Sequence, residues 1–297
     1  MNKILHFSII GRANVGKSTI INRICNRKVS IVSPIPQTTR RSMYHLTHHN
    51  DVKWVIWDTP GLLEVKNKLD LFLNSEAIST FKKSELIIYI VDSTSNYNDQ
   101  NAEIARLINS VKNLKLILIY SKSDLVEDQN KFEQLQNKIE AEIKFTNKFY
   151  LNLNEDNLKQ LKDKLNEFAV EDDGDDIYLE TTENDDFFIT EIIREQIIKN
   201  TFHEIPHAST VIIENKKYDN VKNIFHIDCV IVVEKDSQKA IIIGKGASKI
   251  KQIGMNARLE LEQIYDSKIN LKLFCKVEKD WRDNNYLIKS FGFKKWH

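Results

Sequence analysis

A glycine-rich loop at residues 11–19, with the sequence GRANVGKST, limits what this chain can be more sharply than any other segment. It fits the pattern G-x-x-x-x-G-K-[ST], and it lies between an apolar run at residues 4–10 and an apolar helical pattern at residues 20–24. In such a strand, loop and helix, backbone N–H groups and the helix N-terminus face an anion. Lys17 then reaches the outer phosphates and Ser18 holds Mg2+. The sequence therefore predicts binding of a nucleoside triphosphate.

A second loop, DTPG at residues 58–61, comes directly after a predicted buried strand at residues 52–57. Asp58 is suited to hold Mg2+ through water, and the backbone N–H of Gly61 is suited to meet a γ-phosphate. Further strands follow at intervals that leave room for helices, at residues 86–91 and 115–120. This alternation predicts an α/β domain with a mostly parallel sheet.

The predicted strand at residues 115–120 ends in SKSD, residues 121–124. The Asp124 carboxylate can accept two hydrogen bonds from the N1–H and amine of guanine, which adenine cannot offer, while the Lys122 stem stacks on the base. This pattern favours GTP over ATP, since an ATPase would require Asp124 to have no role in reading the base. The usual motif is N-K-x-D, so Ser121 has a shorter reach toward the phosphate loop and predicts weaker guanine affinity.

The last common guanine motif, S-A-[KL] after a fifth strand, is missing, and FYLNLN at residues 149–154 takes its place. Backbone N–H groups contact guanine O6 at that point, so Asn152 can substitute there. The residues expected to bind the nucleotide are Gly11, Arg12, Ala13, Asn14, Val15, Gly16, Lys17, Ser18, Thr19, Asp58, Thr59, Pro60, Gly61, Ser121, Lys122, Asp124 and Asn152.

An acidic stretch, EDDGDD at residues 171–176, interrupts the apolar periodicity and predicts a linker, which we place at residues 171–185. The balance of charge changes there: residues 1–185 hold 24 basic and 27 acidic residues, and residues 186–297 hold 19 and 15. We therefore expect a nucleotide domain at residues 1–170 and a mildly basic second domain, which is consistent with nucleic-acid binding.

The second half has the order helix, strand, strand, two short helices, strand, which resembles the α+β fold of a type II KH domain. Its sequence GKGA, residues 244–247, stands at the place of the KH loop G-x-x-G, where a nucleic-acid backbone approaches a helix start beside an apolar groove for bases. Ala247 replaces the second glycine. Its methyl group is tolerated if the position is helical, and impairs RNA binding if the backbone needs a positive φ. The candidate RNA-binding residues are Gly244, Lys245, Gly246, Ala247, Lys249 and Lys251.

These motifs agree in order and spacing with one family, because from Ile4 nearly to the C-terminus the chain resembles the Era family of GTPases. The resemblance implies a GTP-hydrolysing switch whose KH groove binds the 3′ end of small-subunit ribosomal RNA. It further implies that the protein helps to mature the small ribosomal subunit before hydrolysis releases it. We expect a cytoplasmic monomer with GTP and GDP as ligands and with peripheral contact at the inner face of the cell membrane.

The resemblance also implies residues for catalysis. The segment QTTR, residues 37–40, is similar to the first switch segment, in which Thr39, or alternatively Thr38, closes over Mg2+ and the γ-phosphate. Leu62 stands where Ras-like proteins have a glutamine that positions water, which an aliphatic side chain cannot do. In similar GTPases an asparagine at the place of Asn14 helps to bind K+, although it can also hydrogen-bond its own backbone. The predicted catalytic residues are Lys17, Thr39, Gly61 and Asn14, and the predicted metal ligands are Ser18, Thr39 and Asp58.

Composition excludes several other classes of protein. No run of 18 apolar residues occurs, which excludes an integral membrane protein. The 3 cysteines have no spacing typical of disulfide pairs or metal sites, so reduced structural thiols are expected. His45, His48 and His49 invite a metal site, but no further ligand is evident and we predict loop histidines.

An alternative function retains RNA binding but lacks GTP hydrolysis. Ser121, Leu62 and the segment at residues 151–153 are also compatible with an RNA-binding KH protein that has a degraded nucleotide site and hydrolyses little or no GTP. Turnover that depends on nucleotide distinguishes the two hypotheses.

Overall fold

The fold was determined as a computed structural model, which describes residues 3–32, 43–61, 65–111, 115–152, 154–172, 174 and 182–293. The chain divides into an N-terminal and a C-terminal compact unit, and the described residues 31–32 and 67–69 group with the C-terminal unit. The loop GRANVGKST lies in the N-terminal unit and GKGA lies in the C-terminal unit. Each set of motifs therefore has a unit of its own.

The N-terminal unit is built on a largely parallel sheet. Its strands are β1 (Lys3–Gly11), β2 (Met43–His49), β3 (Val52–Asp58), β4 (Leu86–Asp92), β5 (Lys115–Ser121), β6 (Asn147–Leu151) and β7 (Val170–Glu171). Within the described residues their order is β2-β3-β1-β4-β5-β6, with β7 paired to β1. Strands β3, β1, β4, β5 and β6 run parallel, so the loops after β1, β3 and β5 emerge at one edge of the sheet.

Helices cover both faces of this sheet, as the continuous apolar strands require. They are α1 (Lys17–Cys25), α2 (Lys68–Phe81), α3 (Asp99–Ser110), α4 (Gln129–Glu142) and α5 (Glu155–Asn166). On one face α1 and α5 pack through Ile21 and Leu161, and on the other α3 and α4 pack through Ile104 and Leu135. The predicted α/β fold of this half is confirmed.

The C-terminal unit has the order predicted for a KH fold. Its elements are α6 (Thr182–Asn200), α7 (Ile205–Ala208), β8 (Thr210–Asp219), β9 (Ile224–Val233), α8 (Asp236–Ile243), α9 (Ser248–Tyr265), β10 (Lys268–Val277) and α10 (Asn285–Ser290). The sheet order is β10-β9-β8, with β10 parallel and β8 antiparallel to β9. Its inner face buries Ile227 and Ile231 against Ile193 of α6 and Leu261 of α9. The α+β prediction is confirmed.

Strand β2 corrects the prediction that the three histidines lie in a loop. His45, His48 and His49 all lie in β2, which pairs antiparallel with β3 at the edge of the sheet. An edge strand can carry polar side chains on its exposed face, so the sequence lacked the apolar run of the inner strands. His45 itself is buried, and burial, with Arg27 nearby, lowers its pKa to about 3. This imidazole is therefore neutral at physiological pH.

The predicted linker at residues 171–185 begins inside a strand, because Glu171 belongs to β7. Strand β4 pairs with β1 only from Phe7 onward, which leaves the first residues of β1 open on that side. β7 fills this place, with Glu171 opposite Lys3, because open backbone groups at a sheet edge are stabilised by a partner strand. Helix α6 then begins at Thr182, inside the predicted linker.

Candidate functional site

The phosphate loop leads from β1 into α1 through two glycines with separate roles. A Cβ atom on Gly11 would lie 2.5 Å from the carbonyl oxygen of Ile90, so only glycine fits between the strands. Gly16 has φ +98° and precedes the first residue of α1. This helix has no side-chain cap and no acidic residue in its first turn. Its first N–H groups are therefore available to an anion, which the helix dipole also favours.

Lys17 is held inside this loop rather than extended into solvent. Its Nζ donates to the carbonyl oxygens of Gly11, at 3.0 Å, and Arg12, at 2.7 Å. Burial lowers the pKa of Lys17 to about 8, although the charge of Asp58 acts in the opposite direction. The ammonium is thus placed before any ligand arrives, in an environment where an additional anion stabilises its charge.

The DTPG loop lies directly against the phosphate loop. A Cβ atom on Gly61 would come within 3.3 Å of the Lys17 Nζ and 3.4 Å of the backbone nitrogen of Ala13. A side chain at this position would therefore push against both the ammonium and the phosphate loop. Gly61 thus lies beside the Lys17 ammonium, where its N–H was predicted to meet a γ-phosphate.

Asp58 and Thr59 hold the start of the DTPG loop. Asp58, at the end of β3, is buried, and its Oδ2 accepts a hydrogen bond from the Ser30 hydroxyl at 2.5 Å. The Thr59 hydroxyl donates to the carbonyl oxygen of Ile9 at 2.6 Å, which links this loop to β1. Ser30 carried no motif and was missed from the sequence.

The start of the base loop is linked to the phosphate loop by Ser121. Its hydroxyl is 2.7 Å from the carbonyl oxygen of Val15 and 3.2 Å from that of Val91. The side chain is short, but it spans the distance because β5 ends beside the loop and Ser121 is buried there. Despite its shorter reach, Ser121 therefore hydrogen-bonds the phosphate loop.

Lys122 is oriented by a carboxylate that the sequence analysis missed. Its Nζ lies 2.5 Å from Oδ2 of Asp92 and 3.1 Å from the carbonyl oxygen of Asn14. Burial raises the pKa of Asp92, but hydrogen bonds from Lys122 and Thr94 outweigh burial and lower it. Asp92 lies opposite Ser121 in the pairing of β4 with β5. That register could have been inferred, because parallel strands end at one edge of the sheet.

The two remaining base-loop residues differ in how their side chains are engaged. Asp124 is exposed in a 3-10 turn, and no side chain in the described part of the chain hydrogen-bonds its carboxylate. The Asn152 side chain instead accepts from the Asn157 amide at 2.8 Å and from the Asn154 backbone at 3.3 Å. Asp124 can therefore meet a base directly, whereas Asn152 offers its backbone.

Arg12 and Asn14 complete the phosphate loop. The Arg12 guanidinium turns away from the loop interior and donates to Gln100 at 3.2 Å and to the carbonyl oxygen of Asn96 at 3.0 Å. Arg12 can therefore contact a nucleotide only through its backbone. Asn14 is exposed with φ +64°, a conformation that asparagine tolerates better than most residues. Thr38, Thr39 and Leu62, predicted for the switch and the water position, lie outside the described residues.

The GKGA loop joins α8 to α9 through two glycines in left-handed or related conformations. Gly244 has φ +72°, and a Cβ atom there would lie 2.8 Å from the Cβ of Lys249 and 3.0 Å from its backbone nitrogen. Gly246 has φ +59°, with no atom of the described residues within 4 Å of such a Cβ atom. Lys245 is exposed, and Lys249 and Lys251 lie in the first turn of α9. The loop thus presents backbone and positive charge together.

Ala247 has φ +60° and ψ 23°, so the alternative in which this position is helical is wrong. A left-handed residue with a Cβ atom costs about 1–2 kcal/mol. We expect Ala247→Gly to raise the free energy of unfolding by about 1 kcal/mol and to strengthen RNA binding. Urea denaturation and RNA titration measure both. The control Ala240→Gly, inside α8, should instead lower the free energy of unfolding by about 1 kcal/mol. A loss of stability in Ala247→Gly would contradict the claim that the Ala247 backbone is strained.

Helix α9, which follows the GKGA loop, packs against β10. A Cβ atom on Gly254 would lie 3.3 Å from the Leu273 side chain, so glycine keeps the helix close to the strand. Farther along, a cleft of about 740 Å3 is lined by Arg258 and Glu262 of α9 and by Asn270 and Leu271 of β10, among others. Arg258 follows Gly254 by one helical turn and could have been found from that spacing. The cleft combines apolar wall and hydrogen-bonding groups.

Comparison with known proteins agrees with both sites. A family model described as 50S ribosome-binding GTPase matches residues 6–122, and a KH domain model matches residues 204–282. GTPase Era of Ureaplasma parvum is 38% identical over 289 residues, which cover 97% of this chain and 96% of that protein. The chain belongs to the GTPase Era family. Era of Carboxydothermus hydrogenoformans is 36% identical over 290 residues, 96% of each chain.

Solved Era structures resemble this chain over almost its whole length. Aquifex aeolicus Era, as a variant bound to GDP and AlF4−, has a TM-score of 0.86 at 27% identity, covering 98% of this chain and 99% of that one. A crystal structure of Era in complex with MgGDPNP and nucleotides 1506–1542 of 16S ribosomal RNA has a TM-score of 0.85 at 27% identity, covering 99% of each. Among the described helices of the present Era-family chain, none is long and apolar enough to cross a membrane.

Proposed function

We propose that this protein is a GTP-hydrolysing switch that binds the 3′ end of small-subunit ribosomal RNA and assists maturation of the small ribosomal subunit. The observation that carries the proposal is the close approach of Gly61 to the Lys17 ammonium of the phosphate loop, at the place where a γ-phosphate would bind. Era relatives solved with GDP and AlF4− and with MgGDPNP and 16S ribosomal RNA support it. A degraded nucleotide site is not favoured, because the loop and its lysine are intact.

In hydrolysis, water attacks the γ-phosphorus of GTP and the bond to the β-phosphate oxygen breaks, giving GDP and inorganic phosphate. Lys17 and the N–H groups of the phosphate loop and Gly61 stabilise negative charge that develops on the phosphate oxygens. The Ser18 hydroxyl and Asp58 carboxylate are oxygen donors of the kind Mg2+ requires, and Thr39 completes the predicted set. When bound, Mg2+ neutralises phosphate charge.

Recognition of guanine is assigned to Asp124, and a substitution of this residue tests the nucleotide site directly. Because Asp124→Asn replaces an acceptor by a donor, GTP affinity should fall on the order of a hundredfold, since hydrogen bonds to charged groups contribute about 1.5–3 kcal/mol each. Xanthosine triphosphate, which offers an acceptor in place of the guanine amine, should then compete. Competition titrations measure both.

Asp128→Asn is the matched control for this test, because Asp128 caps α4 and asparagine caps helices equally well. It should leave the preference for GTP unchanged. An unchanged preference for GTP in Asp124→Asn would sink the base assignment. GTP turnover that is absent from the natural protein, with and without ribosomal RNA, would favour the alternative of an RNA-binding protein with a degraded site.

We propose that K+ bound with the help of Asn14 lies beside the phosphates and supplies positive charge there, as an arginine finger does in other GTPases. The exposed, left-handed Asn14 in the phosphate loop supports this. At equal ionic strength, KCl should give turnover at least about tenfold faster than NaCl. Asn14→Gly removes the side chain without backbone strain and should abolish the difference while GTP still binds. Equal rates of the natural protein in both salts would contradict the K+ site.

For RNA, the proposed contacts are the backbone of the GKGA loop and the ammonium groups of Lys245, Lys249 and Lys251. Positive charge at the N-terminus of α9 adds to the helix dipole, and both attract phosphates. Bases would then lie along α9 toward the cleft that Arg258 and Asn270 line. Phosphate contacts from the loop and hydrogen bonds to the bases are the contacts by which KH domains bind single-stranded RNA.

The cellular setting is part of the proposal. A cytoplasmic monomer with peripheral contact at the inner face of the cell membrane is what the family resemblance implies. Size-exclusion chromatography with light scattering measures the oligomeric state, and fractionation of cells at low and high salt measures membrane contact.

A further inference from the structure

Asp92 lies where two neighbouring strands of the nucleotide domain end. It is the last residue of β4, and it is paired with Ser121, the last residue of β5. The backbone N–H of Ser93 donates to the carbonyl oxygen of Ser121 at 2.9 Å, which continues the pairing one step beyond the strands. Because the carboxyl ends of parallel strands meet at one edge of a sheet, the Asp92 side chain starts beside both the base loop and the phosphate loop.

The two carboxylate oxygens of Asp92 have separate partners. Its Oδ1 accepts hydrogen bonds from the backbone N–H of Thr94 at 2.9 Å and from the Thr94 hydroxyl at 2.7 Å, which closes a local turn. Its Oδ2 accepts from the Lys122 ammonium at 2.5 Å. The turn requires only the first oxygen. The second oxygen therefore acts on the base loop.

Lys122 is fixed at both of its ends. Its backbone has φ +56° and ψ 33°, a left-handed conformation that costs free energy in a residue with a Cβ atom. Its ammonium donates to Oδ2 of Asp92 and to the carbonyl oxygen of Asn14, at 3.1 Å. The aliphatic stem thus spans from the base loop to the phosphate loop. A side chain that is held in place before a ligand arrives loses less conformational entropy when the ligand binds.

The base loop holds the phosphate loop through two adjacent residues. Ser121 contacts the carbonyl oxygen of Val15 at 2.7 Å, and Lys122 contacts that of Asn14 at 3.1 Å. A serine hydroxyl has one proton to donate, whereas the asparagine of the usual N-K-x-D motif has two. The second link between the loops therefore depends on Lys122, and through it on Asp92.

The ion pair of Asp92 and Lys122 is partly shielded from water. The Asp92 side chain is 14% exposed and that of Lys122 is 38% exposed. Fully exposed ion pairs contribute little, because water and salt screen them, whereas breaking a buried pair leaves a charge without a partner and costs much more. This pair lies between the two limits, so its loss should have a measurable effect on a ligand that depends on Lys122.

We propose that Asp92 is a positioning residue for guanine nucleotides and that it acts through Lys122. The carboxylate keeps the lysine stem in place for stacking on the base, and it keeps the ammonium on the phosphate loop at Asn14. This role is separate from closing the turn at Thr94. The proposal rests on the proposed recognition of guanine by the base loop, and it adds to that loop a residue from a different strand.

Asp92→Asn separates the two roles, because asparagine keeps an acceptor oxygen for Thr94 but presents an amide donor to Lys122. The affinities for GDP and GTP should fall equally, by about tenfold, as expected for a partly shielded pair. Single-turnover hydrolysis at saturating GTP should keep its rate, since Lys17 and Gly61 belong to other loops. Titration with fluorescent GDP and GTP analogues and rapid-quench measurements give these quantities.

Two control variants test whether the effect comes from the ion pair. Thr94→Val removes one hydrogen bond of the turn and should leave both affinities unchanged. Asp99→Asn removes an exposed carboxylate from the first turn of α3 and should also have no effect. A loss of affinity in Thr94→Val as large as that in Asp92→Asn would assign Asp92 to the turn and overturn the proposal.

A double-mutant cycle tests whether Asp92 acts through the lysine. Lys122→Met keeps an unbranched stem without the ammonium and should weaken GDP binding by about tenfold or more. In the Lys122→Met background, Asp92→Asn should cause no further loss, because the two residues form one interaction. Equal losses from Asp92→Asn in both backgrounds would overturn the proposal, since a folding defect or an independent role gives factors that multiply.

The outcomes also separate the role of Asp92 from the proposed function on which it rests. If the natural protein does not bind GDP, the recognition of guanine itself fails. If Lys122→Met weakens GDP binding and Asp92→Asn does not, the assignment of the base loop stands and only the positioning role of Asp92 is refuted.

Discussion

Lys17→Ala is expected to abolish GTP turnover and to weaken GTP binding by on the order of a hundredfold or more. The ammonium is buried and already placed at the carbonyl oxygens of Gly11 and Arg12, so its charge acts on the phosphates without reorganisation. A charged donor in such a site contributes several kcal/mol, on the order of 3, to stabilising the transferring phosphoryl group. Phosphate release and titration with a fluorescent GTP analogue measure the two effects.

The pH dependence of the natural protein gives a second measurement of the same group. Because burial lowers the pKa of Lys17 to about 8, the lysine is mostly protonated at pH 7 and loses its charge as the pH rises through 8. Phosphate binds the charged form, so GTP affinity should fall by up to about tenfold per pH unit above pH 8. Lys17→Ala should remove that dependence, and the exposed Lys131→Ala should keep it. A pH profile that survives in Lys17→Ala would assign the titration to another group.

The sequence was sufficient for the fold wherever one pattern had one structural solution. A buried apolar run, a glycine-rich loop and a helical pattern define the first βα unit, and the same periodicity placed β3, β4 and β5 within a residue or two. Strand β2 was not predicted, because an edge strand buries only part of its surface. Its polar residues His45, His48 and His49 therefore indicated a loop. Strand β7, which includes Glu171, was also not predicted, because it forms by backbone pairing that the side-chain pattern does not indicate.

Candidate site residues with a motif could be predicted from the sequence, whereas the residues that contact and orient them could not. Ser30, which donates to Asp58, and Asp92, which orients Lys122, lie far from their partners in sequence, because strand pairing and loops bring them together. Arg258 is a different case, since its distance of four residues from Gly254 is a helical repeat. The φ angle of Ala247 could not be predicted either. The alanine in place of glycine left both a helical and a left-handed backbone open, and only the structure distinguishes them.

Replacing Lys245 and Gly246 together by aspartate is expected to abolish RNA binding. Both side chains would point negative charge at phosphates approaching the start of α9, where the natural loop offers one lysine and backbone N–H groups. The substitution is compatible with folding, because Lys245 is exposed and no atom of the described residues lies within 4 Å of a Cβ atom placed on Gly246. Aspartate also tolerates the left-handed backbone of φ +59° better than most residues. RNA affinity should fall at least about a hundredfold at physiological salt.

The control for this variant has the same shape without the charge. Lys245→Gln with Gly246→Asn removes one phosphate contact, so its affinity should fall moderately and its salt slope should drop by about 0.7. GTP binding should be unchanged in both double variants, because the phosphate loop and the GKGA loop lie in different units of the chain. If the aspartate variant and the amide variant weaken RNA binding equally, shape rather than charge controls the loop. RNA affinity that survives the double aspartate would instead place the main binding surface outside the GKGA loop, and would leave the KH domain of this chain as a fold without that function.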